Sequence, residues 1–168
     1  MVVKDSDNKK VVNEEVYKLL LNLLQFETIK TSFVISGRIY FEHHGLDKYK
    51  KFFCRILESC QECKCTITNL LFDIKDEIPE MKIPEMSINF ENSEDVFKQL
   101  AGFEDKAYSL FEELLTTAYE TKDGKVLAYA LDVVKNQDHL CCRALEAVRN
   151  NANPNDLFKS PFANNISW

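Results

Sequence analysis

The sequence predicts an all-α protein, a four-helix bundle in which one connection is a long crossover. Three observations carry that prediction. Four segments repeat apolar residues at helical spacing with few breakers inside them. The chain has only four Gly and four Pro, too few turn residues for a many-stranded β fold. One of the three connections, Glu77–Asn92, is far longer than the other two. A length of 168 residues suits one domain able to bury its own core. The expected organisation is a flexible N-terminus over residues 1–12, the bundle over 13–150 and an irregular tail over 151–168.

The first helix is expected from about Asn13 to Glu42, with Val16, Leu20, Leu23, Leu24, Val34 and Phe41 on one side. His43-His44-Gly45 ends it, Gly being a natural helix stop. The second runs from about Asp47, its expected cap, to Asp76, with Phe52, Phe53, Ile56, Leu57, Ile67, Leu70 and Leu71 as its stripe. The third opens at Ser93, where S-E-D-V reads as an N-cap followed by acidic first-turn residues that favour the helix dipole. It continues through Val96, Phe97, Leu100, Ala107, Phe111, Leu114 and Ala118 until Lys122-Asp123-Gly124 breaks it. The fourth is expected as one helix from about Lys125 to Asn150, through Val126, Ala130, Val133, Val134, Ala144, Leu145 and Val148.

Short links between helices one and two, and between three and four, imply antiparallel hairpins. Helices of about 28 residues are roughly 40 Å long. The Glu77–Asn92 connection carries two prolines and, extended, reaches roughly 50 Å. It can therefore travel the length of the bundle and leave helices two and three parallel. In the tail, Leu157, Phe158, Phe162 and Trp168 are candidate docking residues.

A net charge of −6 supplies no basic surface, which argues against nucleic acid and anionic lipid as partners. The polar opening M-V-V-K-D-S-D-N-K-K is unlike a secretory signal, and no apolar run is long enough to span a bilayer. The expected location is cytoplasmic, with reduced cysteines.

Each apolar stripe is interrupted by residues able to bind a metal. Glu27 stands in register with Leu20, Leu24 and Val34, Glu104 lies between Leu100 and Ala107, and Gln137 lies between Val133 and Cys141. Helix two carries Cys60 and Cys63 on one face, within the C-x-x-C-x-C run that ends at Cys65. Buried carboxylates are costly unless paired or metal-bound, so carboxylates on two inward faces point to a site in the bundle core. Plainer accounts stay open. The two Glu could sit at stripe edges or pair with Lys30 and Lys106, Gln137 could be a satisfied core amide, and the cysteines could be small core residues. Cys54 and the adjacent Cys141 and Cys142 read as packing residues, and His43-His44 as solvated loop.

This pattern resembles the ferritin family, with bacterial-type spacing, from about Asn13 to Asn150. In that family helix one carries a ligand Glu, helix two an E-x-x-H pair, helix three a Glu and helix four a Gln. Those positions fall here on Glu27, Cys60 with Cys63, Glu104 and Gln137, at intervals of 33, 44 and 33 residues. G-L-D-K-Y-K-K-F-F entering helix two and D-V-F-K-Q-L entering helix three agree as well. The resemblance implies a ferritin-like bundle, iron as the metal handled, oxidation of Fe(II) by oxygen at a two-iron centre, and assembly into a homo-oligomeric or mixed shell. The sequence departs from the family where that centre should be. Cys60 replaces the bridging Glu, Cys63 replaces the His, Val34 stands where a Tyr is frequent, and Ser59 where a further Glu is common. Thiolates suit zinc or copper(I) better than a two-iron oxygen site, and they oxidise readily. The expected function is iron storage with a weakened or lost oxidation centre. Two alternatives remain at this stage: a soft-metal site using Cys60 and Cys63, and a scaffold that binds no metal.

Overall fold

The computed structural model describes residues 13–136 and 140–151, with the side chains of Leu140, Cys141 and Cys142 excepted. The expectations for the N-terminus, Gln137, Asp138, His139, the Cys141-Cys142 pair and the tail lie outside the described residues. Five helices occur among the described residues: α1 Glu14–His43, α2 Asp47–Lys75, α3 Ser93–Glu120, α4 Gly124–Lys135 and α5 Leu140–Arg149.

Local chemistry sets most of the boundaries. Asn13 caps α1 by accepting the Val16 N–H at 3.2 Å, with Glu14 and Glu15 in the first turn. The helix stops where Gly45 takes a left-handed φ of 67°, letting the Leu46 N–H reach back to the Phe41 carbonyl at 2.9 Å. Asp47 was expected to cap α2 but is its first helical residue, and the cap is Leu46, which has no side-chain cap bond. The turn is too short to spare a separate capping residue. The Leu46 carbonyl instead accepts from Tyr49 and Lys50 directly, at 3.0 and 3.1 Å. The α3 cap is likewise Asn92, whose side chain accepts the Asp95 N–H at 2.9 Å, and Ser93 is already helical.

The single fourth helix expected from the sequence is two helices. α4 ends at Lys135, with Asn136 as its C-cap and the Asn136 side chain donating to Asp132 at 2.9 Å. From Lys135 to His139 the sequence K-N-Q-D-H contains no apolar residue, and residues 137–139 lie outside the described residues. The periodicity resumes in α5, where Ala144 is fully buried.

α1 and α2 form the first hairpin, joined at the Gly45 turn. The crossover then climbs along α1. The Lys82 backbone carbonyl accepts from the Gln25 side-chain amide at 3.3 Å, and Phe90 packs on Phe33 and Tyr40 with ring centroids 5.6 and 5.5 Å apart. α3 therefore starts beside the end of α1, with Phe97 against Phe41, Phe52 and Phe53. It runs parallel to α2, as the length of the crossover predicts. α4 returns antiparallel to α3, and an Arg149–Glu94 ion pair at 2.9 Å ties the end of α5 to the start of α3.

The core is divided in two along the bundle. One apolar cluster holds Leu20, Leu24, Ile67, Leu71, Leu114 and Val126, and the other holds Phe41, Phe53, Ile56, Val96, Phe97 and Ala144. A middle layer separates them.

Candidate metal centre in the middle layer

Polar groups on four helices lie at the level of that layer. On α1 it is Glu27, placed between Leu24 of one cluster and Val34 of the other. On α2, Cys60 packs with the second cluster and Cys63 against the first. Glu104 on α3 lies between Leu100 and Phe111, which belong to opposite clusters. α4 contributes Tyr129, packed against the first cluster.

Glu27 is only 2% exposed; with Thr31 it makes up the buried polar set among the described residues. One carboxylate oxygen, Oε1, lies 3.7 Å from Lys30 Nζ. The other, Oε2, is buried and has no hydrogen-bond partner among the described residues. Thr31 does not answer it, because its hydroxyl donates to the Glu27 backbone carbonyl at 2.6 Å. A buried acceptor left unanswered costs about 1–3 kcal/mol, more when it is charged.

Both thiols are held neutral. Burial pushes the Cys60 thiol up to about 11, with Glu27 adding to the rise and Lys30 and Thr31 opposing it. Burial and then Glu27 push Cys63 up to about 12, against a hydrogen bond with Tyr129. Cys63 Sγ and the Tyr129 hydroxyl are 3.4 Å apart. Burial, then Cys63, raises Tyr129 well above the ordinary phenol range, so it too keeps its proton. The layer therefore has two neutral thiols, a neutral phenol and the Glu27–Lys30 charge pair.

Glu27 adds to the rise of both thiols, and Tyr129 lies beside Cys63. Glu104 is half-buried in α3. Among the described residues no three His, Cys, Asp or Glu side chains converge as a ready-made metal cage. Cys65 is exposed on another face of α2, and Cys54 is half-buried. The C-x-x-C-x-C run is thus split, two thiols inward and one outward. Lys30, Thr31 and Tyr129 are the members of the layer not singled out as site residues from the sequence. Tyr129 does follow Val126 by one helical turn on the α4 stripe, the one signal that could have found it.

No protein-family model and no curated protein sequence matches the chain. Solved structures do. The fold is similar to that of an open-pore ferritin from the hyperthermophilic archaeon Archaeoglobus fulgidus, at 14% identity and a TM-score of 0.64, covering 93% of this chain and 90% of that one. It is similar to a PmFTN variant soaked in iron for 3 h, at 17% identity and 0.65, covering 87% and 96%. A second PmFTN variant, soaked for 5 min, matches at 15% and 0.59, covering 93% and 100%. At such identities the likeness is one of fold, and the fold is that of the ferritin four-helix bundle.

Proposed function

We propose that the chain is a subunit of a ferritin-type, iron-storing assembly in which the capacity of the middle layer to oxidise Fe(II) is weakened or lost. The observation that carries this reading is Glu27. A buried carboxylate with an unanswered oxygen, at the middle of a ferritin-like bundle, is a cation ligand kept at a cost to stability. In this reading the metal-facing set is Glu27, Cys60, Cys63, Glu104 and Gln137. The assembly is a homo-oligomeric or mixed shell in the cytoplasm, and metal ions are its ligands. The donor set does not fit a pair of irons. Hard Fe(II) and Fe(III) favour carboxylate and imidazole, whereas α2 offers two protonated thiols. Iron would then be oxidised by partner subunits or deposited slowly on acidic shell surfaces.

The test is Fe(II) oxidation in air by the purified, reduced protein, run beside a Cys60→Glu/Cys63→His variant, with particle size and iron content measured for both. The reading expects a large hollow particle that accumulates iron, near-inert oxidation by the wild type and fast oxidation by the variant. Fast oxidation by the wild type would overturn the weakened-centre part. A monomer that takes up no iron would overturn the storage part.

A further inference from the structure

We infer that the middle layer takes a single thiophilic divalent cation of the Zn(II) class, held by Cys60, Cys63 and Glu27. This rests on the proposed reading only in treating the layer as a metal centre; whether the assembly stores iron is a separate matter.

Three observations carry it. Cys60 and Cys63 are three residues apart near the middle of α2, so they share one helical face, and both border the layer from within the bundle. Cys65 is the internal control, an exposed thiol two residues further on. On α1, Glu27 sits between the same two clusters that the thiols border, is only 2% exposed, and keeps Oε2 buried without a hydrogen-bond partner among the described residues. A buried carboxylate oxygen without a donor among the described residues, at the level of two inward thiols, is what a soft cation would complete.

Two thiolates and one carboxylate carry three negative charges, offset in part by Lys30, 3.7 Å from Glu27, and a bound cation offsets more of them. Donor type selects the metal, since sulfur-rich sets prefer zinc and three protein ligands leave an open fourth position. Binding breaks two S–H bonds, forms two metal–sulfur bonds and releases two protons to solvent, with no change of oxidation state. Among the described residues the ligands are not preassembled, so their convergence is coupled to binding of the ion.

The experiment is a titration of the reduced, metal-free full-length protein with Co(II), a coloured stand-in for zinc, followed by Zn(II). The inference expects thiolate-to-cobalt charge-transfer bands and tetrahedral visible bands saturating at one ion per chain, and bleached by Zn(II). The Cys65→Ser variant should keep the bands and Cys60→Ser/Cys63→Ser should lose them, with unchanged helical circular dichroism as the folding control. Should the double variant fail to fold, Glu27→Gln serves in its place, expected to keep the fold and weaken Zn(II) binding by roughly tenfold or more. Absent thiolate bands, bands that follow Cys65, or a Glu27→Gln protein that binds zinc as tightly as wild type would overturn it. The two proposals separate cleanly. Iron loading without cobalt bands sinks this inference alone, and cobalt bands without iron loading sink the storage reading alone.

Discussion

Cys63 Sγ and the Tyr129 hydroxyl, 3.4 Å apart, form a direct polar link between α2 and α4 across the interior of the bundle. Both groups stay protonated, so this is a neutral hydrogen bond between two half-buried side chains. Tyr129→Phe keeps the ring, including its edge-on contact with Phe111 at 5.8 Å, and removes only the hydroxyl. The expected cost is about 0.5–1.5 kcal/mol, read as a lower urea midpoint at constant m-value. An unchanged midpoint would mean that the thiol and the phenol contribute nothing by meeting.

The two thiols make the metal-free protein sensitive to alkali. In the unfolded chain they ionise near the ordinary 9.0, whereas in the fold they hold their protons to about 11 and about 12. Above pH 9 the folded state therefore binds more protons than the unfolded state, and stability falls as pH rises. The contribution is complete below pH 9 and lost through the folded values. Thermal melts of wild type and Cys60→Ala/Cys63→Ala between pH 8 and 11 should show a steeper loss for wild type. Parallel curves would contradict the burial of these thiols.

Capping of α3 gives a sharper local test. Asn92 and Ser93 are both good capping residues, but only Asn92 accepts the Asp95 N–H, at 2.9 Å. Asn92→Ala should cost about 1 kcal/mol, and Ser93→Ala should fall within about 0.5 kcal/mol of wild type. Equal effects would move the cap to Ser93.

That adjacent pair illustrates what the sequence could and could not decide. Helical periodicity placed α1, α2 and α3 because burial of a long stripe dominates every local preference. The crossover was legible from length alone, since only a connection as long as the bundle fits between parallel consecutive helices. Off-by-one caps at Asp47 and Ser93 were not legible, because neighbouring residues offer equivalent caps and backbone geometry chooses between them. Nor was the division of helix four, where the apolar period resumes in phase after the K-N-Q-D-H gap. In the middle layer, Glu27, Cys60 and Cys63 stood out as polar or thiol groups on apolar stripes. Thr31 is silent in the sequence because it satisfies itself on its own helix, at 2.6 Å from the Glu27 carbonyl oxygen. Tyr129 reads as an ordinary core aromatic until its hydroxyl is seen against Cys63.

Two glycines should respond to alanine with opposite signs. A Cβ on Gly37 would run into the Phe53 ring at Cε1, and that ring is fully buried, 5.2 Å from Phe41 and 5.5 Å from Phe97 between centroids. Overpacking costs about 1–3 kcal/mol and outweighs the roughly 1 kcal/mol that alanine gains in helix propensity. Gly102 on α3 is exposed, with nothing within 4 Å of such a Cβ. There the propensity gain is unopposed, so Gly102→Ala should raise stability by about 0.5–1 kcal/mol in denaturant melts while Gly37→Ala lowers it. Stabilisation by both would show that the Phe53 ring has room to move.

Glu27 supplies the prediction that ties stability to function. The folded chain buries its carboxylate with one oxygen 3.7 Å from Lys30 and the other unanswered. Glu27→Leu replaces it with a side chain of similar volume that suits the flanking Leu24 and Val34, and Lys30, with its side chain 15% exposed, can turn to water. Exchanging a poorly compensated buried charge for an apolar group stabilises by about 1–4 kcal/mol, so the metal-free variant should melt above metal-free wild type. With Zn(II) added, the order of the gains should reverse. Wild type should rise in melting temperature and the variant hardly at all, because only wild type retains the oxygen that completes the set. A variant less stable than wild type without metal would mean that Glu27 is already satisfied within the fold. Its unanswered oxygen would then no longer mark a binding site.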